Sequence, residues 1–495
     1  MAAAAASCCH GCWLLPLLLL LTAAAGALGA GGSSLELLDV KSLLLPAASC
    51  HTPEEQKPGT TRMPVVHRHG PCSPLAGKQG KAPSHTEILA ADQRRVEYIH
   101  RRVSESTGRV RRKRGAAPVE LRPGAPSSTS PSSLSSSTKS ANLPVSSGSV
   151  VDTGNYVVPI SLGTPAERFT VIFDTGSDTA WVQCEPCVVY CYQQKDPIFN
   201  PSKSSTYANI SCSSSYCSDL DVSSCTGGHC VYGVEYGDGS FTVGFYAQDT
   251  LTLAYDTVKG FRFGCGERNR GLFGEAAGLL GLGRGSTSLP VQAYDKYGGS
   301  FAYCLPATSA GRGFLDFGRG AAAANARLTP MLTDNGPTFY YVGMTGIKVD
   351  GHLLSIPGSV FSTAGTILDS GTVITRLPPS AYEPLRSAFV KAMAARGYKK
   401  APSYSILDTC FDLTGHQHQG KVALPPVSLV FQGGACLDVD ASGILYLADV
   451  SQACLAFAAN DDDTDVAIVG NTQQKTYSVL YDLGKKAVGF APGAC

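Results

Sequence analysis

From Asn155 onward, apolar residues come in short runs broken by Gly, Pro, Asn and Asp: NYVVPISLGTP (155–165), ERFTVIFDTG (167–176), VYGVEYGDGSFTVG (231–244), FYYVGMTGIKV (339–349) and KAVGFAP (486–492). Runs of this length, rich in β-branched and aromatic residues, predict strands closed by tight turns. Helical spacing is rare. Ser380–Met393 carries it in the body, and residues 84–103 carry it in the N-terminal part, where Ser84 and Glu87 read as a capping box. On that second helix Ile88, Asp92, Val96, Ile99 and Val103 recur at helical spacing, with one carboxylate inside an otherwise apolar stripe. The pattern predicts an all-β protein.

The first 140 residues follow a different logic. Trp13–Leu21 is an apolar core too short to span a bilayer, followed by small residues, and residues 1–30 read as a secretory signal peptide. A plastid transit peptide is the alternative, because the first 35 residues hold no acid, but such peptides are not led by a Leu run. Beyond the helix come RVRRKRG (109–115) and the Pro/Ser-rich APSSTSPSSLSSSTKS (125–140), which cannot bury a core. Residues 31–140 therefore read as a pro-segment with an exposed, cleavable junction. No later stretch is long and apolar enough for a membrane helix, so a secreted, soluble, monomeric product is expected, with vacuole or chloroplast as alternative destinations.

Composition sharpens this division. The chain has 495 residues, enough for two domains, with 54 Gly and 30 Pro. Its net charge of +1 averages a basic residues 1–140 (17 Lys+Arg against 9 Asp+Glu) and an acidic remainder (23 against 30). The body's field would repel phosphates, so no nucleic-acid partner is expected for it. Thirteen of the 18 cysteines lie after residue 140, seven of them between Cys184 and Cys230, which predicts disulfides made in an oxidising compartment. Cys184 and Cys187 have zinc-ligand spacing, but no His partners follow it, and no metal is expected. Gly281-Leu282-Gly283-Arg284-Gly285 lacks the spacing of a nucleotide loop. Asn460-Asp461-Asp462-Asp463 reads as a solvated turn rather than a calcium loop, and His67 and His69 as surface residues. Asn209-Ile210-Ser211 is a glycan acceptor if the chain is secreted.

The chemistry lies in a repeat. VIFDTG (171–176) and TILDSG (366–371) each deliver an Asp onto a Gly-containing turn, followed by Ser177 or Thr372. At similar distances beyond Asp174 and Asp369 come Leu279-Leu280-Gly281 and Ile468-Val469-Gly470. Such a duplication predicts two pseudo-twofold lobes meeting at the two aspartates. Paired carboxylates repel, so one holds its proton while the other is ionised. The charged one can activate a water and the neutral one can polarise a carbonyl, with no metal or other cofactor.

FDTGSDTAWVQC (173–184) and LDSGTVITRLP (368–378) resemble the two active-site motifs of pepsin-like aspartic proteases, and VEYGDGS (234–240) resembles their flap. The cysteine-rich insertion after Trp181, with FRFGCGERNRGLFG (261–274) and FAYCL (301–305), is similar to the plant nepenthesin-type branch. VVHRHGPCSP (65–74), TEILAADQRRV (86–96) and GLFGEAAGLLGLGRGSTSLP (271–290) are closest to its subgroup of chloroplast-nucleoid DNA-binding and apoplastic proteases. The resemblance implies a bilobal β fold with a central cleft, the first lobe within 141–330 and the second within 331–495. It implies an endopeptidase cutting protein or peptide substrates beside apolar residues, at acidic pH.

Carried onto this chain, Asp174 and Asp369 are the catalytic pair and Tyr236 belongs to the flap, supported by Trp181. Ser177 and Thr372 orient the aspartates, Thr175 and Ser370 are the hydroxyls beneath them, and Gly176 and Gly371 complete the turns. The resemblance also implies disulfides Cys304–Cys495 and Cys410–Cys454, leaves eight first-lobe cysteines with pairing open, and makes Cys436 the odd thiol. The rival is a fold-only relative that inhibits glycosidases or binds ligands; such proteins usually lose a catalytic Asp or the flap, and this chain keeps both. Finally, the charge split predicts that the basic segment silences the enzyme near neutral pH through several exposed ion pairs, weakened by salt.

Overall fold

The computed structural model describes residues 36–39, 50, 61–75, 84–106 and 156–495, apart from 238, 272, 319–320, 415–420 and 449–450. The expected signal peptide, the basic run's 109–115 and the Pro/Ser-rich 125–140 lie outside the described residues. The body is built of strands with few helices, and the repeat governs its architecture. Strand Glu167–Asp174 lies parallel to Gly278–Gly281, with Gly281 opposite Asp174. In the second half Thr366–Leu368 lies parallel to Ala467–Val469, with Leu368 opposite Val469. These central strands are covered on both faces, so they read as unbroken apolar runs rather than alternating ones.

Each half wraps its own strands around this frame. In the first, Phe241–Leu253 pairs with Asp256–Arg270 in a long hairpin whose register shifts twice. In the second, two four-stranded antiparallel sheets flank helix Pro379–Ala395, which buries Ala381, Leu385, Phe389 and Met393 at four-residue intervals. Between the halves runs an antiparallel layer of Ser300–Cys304, Gly313–Phe317, Ser478–Asp482, Ala487–Ala491 and Arg327–Leu332. Its aromatic centre includes Phe301 stacked on Tyr481 at 4.8 Å between ring centroids. The expected division at 330 therefore falls inside a strand.

The N-terminal segment contributes to this layer. Strand Met63–His67 pairs through Met63–Val65 with Gly313–Leu315 and through Val66–His67 with Tyr156–Val157, and Met63 and Val65 are fully buried. His67, expected at the surface, is buried edge-on against Tyr156, because that pairing places its side chain inside. Cys50 is bonded to Cys72, Cys304 to Cys495 and Cys410 to Cys454. The first-lobe pairs are Cys184–Cys265, Cys187–Cys191, Cys212–Cys225 and Cys217–Cys230, so both members of the zinc-like pair are consumed by disulfides. Cys436 is also disulfide-bonded, which corrects the expectation of a free thiol. The odd count held only for residues after 140, and the whole chain has an even one.

Candidate active site

Both Asp turns sit at the bottom of the cleft between the halves, their carboxylates 1% and 0% exposed. Thr175 and Ser370 lock the two turns together: Ser370 N donates to Thr175 Oγ1 at 2.9 Å and Thr175 N donates to Ser370 Oγ at 3.1 Å. Ser177 Oγ donates to Asp174 Oδ2 at 2.7 Å, and Thr372 Oγ1 to Asp369 Oδ2 at 2.5 Å. The other oxygens accept from Gly176 N and Gly371 N at 3.0 and 3.1 Å. The two glycines are needed for closeness: a Cβ at Gly176 would stand 2.6 Å from Asp369 Oδ1, and one at Gly371 2.5 Å from Asp174 Oδ1. Asn471 Nδ2 holds Ser370 O at 3.0 Å from below.

Tyr236 follows strand His229–Glu235 at the tip of a hairpin closed by Tyr236 N donating to Ser240 O at 2.8 Å. Trp181 Nε1 donates to Tyr236 Oη at 2.8 Å, and Phe273 packs edge-on against both rings. Every residue named from the sequence for catalysis, dyad support or the flap thus converges on one cleft. Asn209 lies elsewhere, on the short strand Ala208–Asn209, where its Oδ1 accepts from Tyr207 Oη.

The cleft is occupied by the chain itself. Helix His85–Ser106 begins at the capping box, with Ser84 N donating to Glu87 Oε2 at 2.7 Å, and runs between flap and dyad. Arg95 Nη2 lies 2.7 Å from Asp174 Oδ1 and 2.9 Å from Asp369 Oδ1, and Arg95 Nε donates to Asp369 Oδ2 at 2.9 Å. Across the helix, Arg94 O and the Tyr98 side chain press on Gly237 of the flap, leaving no room there for a side-chain carbon.

Two family models match the chain: Xylanase inhibitor N-terminal over residues 156–319 and Xylanase inhibitor C-terminal over residues 339–492. An aspartyl protease family protein of Arabidopsis thaliana is 44% identical over 92% of both chains. Aspartic proteinase nepenthesin-2 of Nepenthes gracilis is 37% identical over 72% of this chain and 83% of its own. This chain is a nepenthesin-type, pepsin-like aspartic protease. Among solved structures, that of edgp shares the fold at 22% identity, with a TM-score of 0.56, covering 68% of this chain and 91% of that one.

In this protease the electrostatics of the dyad are asymmetric. Burial pushes Asp174 up, but Arg95, Ser177 and the Gly176 N–H together bring it below the ordinary carboxylate range. Burial also pushes Asp369 up; Arg95 opposes this, but with the Asp174 charge beside it Asp369 ends raised. Asp174 is thus held in its charged form more firmly than Asp369. The hold of the helix differs from the distributed surface pairing expected of a basic segment. Leu89, Val96, Ile99 and Val103 are buried against the second half, each contributing about 1.5–3 kcal/mol. Arg102 pairs with Asp221 of the cysteine-rich insertion at 2.6 Å near the surface. The Arg95 pairs and an Asp92–Arg376 pair are buried, where salt screens little.

Sequence reasoning missed Asp178. Its carboxylate accepts from Gly285 N at 2.8 Å and Thr338 Oγ1 at 2.7 Å, and burial pushes it up to about 6 against these donors. It fills the space that Gly283 and Gly285 leave open, so the Gly-rich run cradles a carboxylate of the same chain. The available signal was the Asp four residues beyond Asp174 in the motif itself. The Asn460–Asp463 turn is also structural: Asp463 accepts from Ser380 N at 2.8 Å, at the start of helix Pro379–Ala395.

The flap bond supports a separate expectation. Tyr236→Phe removes the hydroxyl that accepts from Trp181, worth roughly 0.5–1.5 kcal/mol, so kcat is expected to fall about 2–10-fold. Tyr236→Ala should lower turnover more than it lowers Tm. Steady-state kinetics beside thermal melts on both variants check this, and unchanged kinetics would remove Tyr236 from the site.

Proposed function

We propose that Asp174 and Asp369 are the catalytic dyad of this endopeptidase, and that residues 31–140 form a pro-segment that keeps it latent. The observation that carries the reading is Arg95, a single guanidinium bonded to both aspartates from within the cleft. A substrate cannot reach carboxylates covered in this way. Once the helix leaves, the counter-charge goes with it and the two carboxyls share one proton. The ionised one takes a proton from a water between them as that water attacks the scissile carbonyl. The protonated one donates to the carbonyl oxygen, and the proton taken from the water is passed to the leaving nitrogen. Ser177, Thr372 and the turn N–H groups hold both carboxyls in place throughout, and the flap, with Tyr236, closes over an extended peptide.

Secretion follows as part of the same reading, supported by the leader at residues 1–30 and seven described disulfides. Among the described residues no helix is long and apolar enough to cross a membrane. On this reading Asn209 carries a glycan. Purified full-length protein, incubated with a denatured protein across pH with and without pepstatin and EDTA, tests the proposal. Cleavage is expected in acid only, blocked by pepstatin and indifferent to EDTA. Activity that peaks above neutral pH, or that EDTA abolishes, points to other chemistry.

A further inference from the structure

We infer that Arg376 forms a subsite of the mature cleft that selects an acidic substrate side chain one or two residues from the scissile bond. The inference rests on the reading that helix His85–Ser106 vacates the cleft. Arg376 lies on strand Thr375–Leu377, just beyond the second Asp turn, and is 2% exposed. Its Nη2 donates to Asp92 Oδ2 at 2.8 Å, while its Nε is buried with no hydrogen-bond partner among the described residues. Asp92 also accepts from Val373 N at 2.6 Å and Ile374 N at 3.3 Å. Three donors of the body, one of them a full positive charge, therefore converge on one carboxylate of the segment.

All three donors stay behind when the helix departs. Water can satisfy the two N–H groups, but a buried guanidinium favours an anion. The surroundings define which anion. Leu89 of the helix packs here with Val373, Ile374, Leu407 and Tyr446, so the walls are apolar and suit a short hydrocarbon stem ending in a carboxylate. Of the body carboxylates near this corner, Asp465 lies 3.9 Å from His100 of the helix, a ring that also feels the charges of Asp461 and of Arg376 itself.

The helix also supplies a ruler. Asp92 and Arg95 are three residues apart, about 4.5 Å along a helix axis. An extended peptide advances about 3.3 Å per residue. With Arg95 marking the dyad, the carboxylate pocket lies one to two substrate residues from the bond that is cut.

The test uses the enzyme obtained by acid activation of the full-length chain. Peptide pairs differing only by Glu against Gln are assayed at each position within three residues of the cut, at about pH 5, where a Glu side chain is mostly ionised. At one position, one or two residues from the cut, the Glu peptide is expected to have a kcat/KM about tenfold or more higher, chiefly through KM. In Arg376→Met that ratio should fall toward one, and Arg376→Lys should retain part of it. Equal cleavage of Glu and Gln peptides at every position by the wild-type enzyme overturns the inference, and needs no variant to fold. A preference that survives in Arg376→Met overturns it too, by assigning the selection elsewhere. If the wild-type enzyme cleaves neither peptide of any pair, the proteolytic reading itself fails and this subsite with it.

Discussion

Replacing Asp174 or Asp369 by Asn is expected to abolish proteolysis while leaving the fold intact. An amide is nearly isosteric, and its one oxygen can still accept from Ser177 Oγ or Thr372 Oγ1, so the turn geometry survives although the bond from the Gly176 or Gly371 N–H is lost. It can neither carry the negative charge that activates water nor exchange the proton that the pair must share. A positioned acid or base alone contributes on the order of 10²–10⁴-fold, and each residue here serves in both roles during a cycle, so a loss at or beyond the upper end is expected. The check is turnover of a fluorogenic peptide by each variant, beside its melting temperature and circular dichroism. A variant that retains near-normal turnover would remove that aspartate from the chemistry. The Asn variants should still be recognised by the N-terminal helix, but less tightly, because Arg95 would then meet only one carboxylate.

The second large effect is expected at Arg95. In the full-length chain, Arg95→Gln should weaken latency on the order of 10²–10⁴-fold, since breaking a buried ion contact by removing one partner costs about 3–5 kcal/mol. The direction with pH follows from the dyad. Docked Arg95 holds Asp174 below the ordinary range, so protons and helix compete for the same carboxylate. The stabilisation of the latent state is therefore complete above the pKa values of the uncovered dyad and lost as pH falls through the lowered one. The glutamine variant lacks this linkage, and its precursor should leak activity near neutral pH with a flatter dependence on acid. Salt should alter either form little, because the contacts are buried. The measurement is cleavage of a small peptide by intact precursor, its length verified by mass, across pH and ionic strength. Equal latency in wild type and Arg95→Gln would show that the apolar face of the helix alone closes the cleft.

What could be read from the sequence was whatever repeats or keeps a fixed local spacing. The two Asp turns, the apolar-pair-plus-Gly strands and the flap are each short, contiguous and written in residues that only one backbone arrangement suits. The partners chosen across the fold were not legible. Asp92 was visible as a polar interruption in an apolar helical stripe, and Arg376 as a charge within VITRLP, but nothing local joins positions so far apart. Arg95 was one of many basic residues in its segment, and only the docked helix singles it out. The sum of charges suggested a diffuse attraction, whereas burial concentrates the effect on a few groups. Met63–His67 was illegible for another reason: five residues with one Pro are too few to distinguish a strand from a linker.

That strand divides the fate of the N-terminal segment. On the proposed reading helix His85–Ser106 gives way to a peptide, but Met63–His67 is bound into the sheet along its length, Met63–Val65 to Gly313–Leu315 and Val66–His67 to Tyr156–Val157. Stripping it away would open two bare edges beside the core, the kind of surface that seeds sheet-to-sheet association between molecules. If the chain matures by trimming as proposed, maturation and shelf life are linked through where the cut falls. A cut that frees only the helix yields an open enzyme with its seams closed, whereas a longer excision yields one inclined to aggregate.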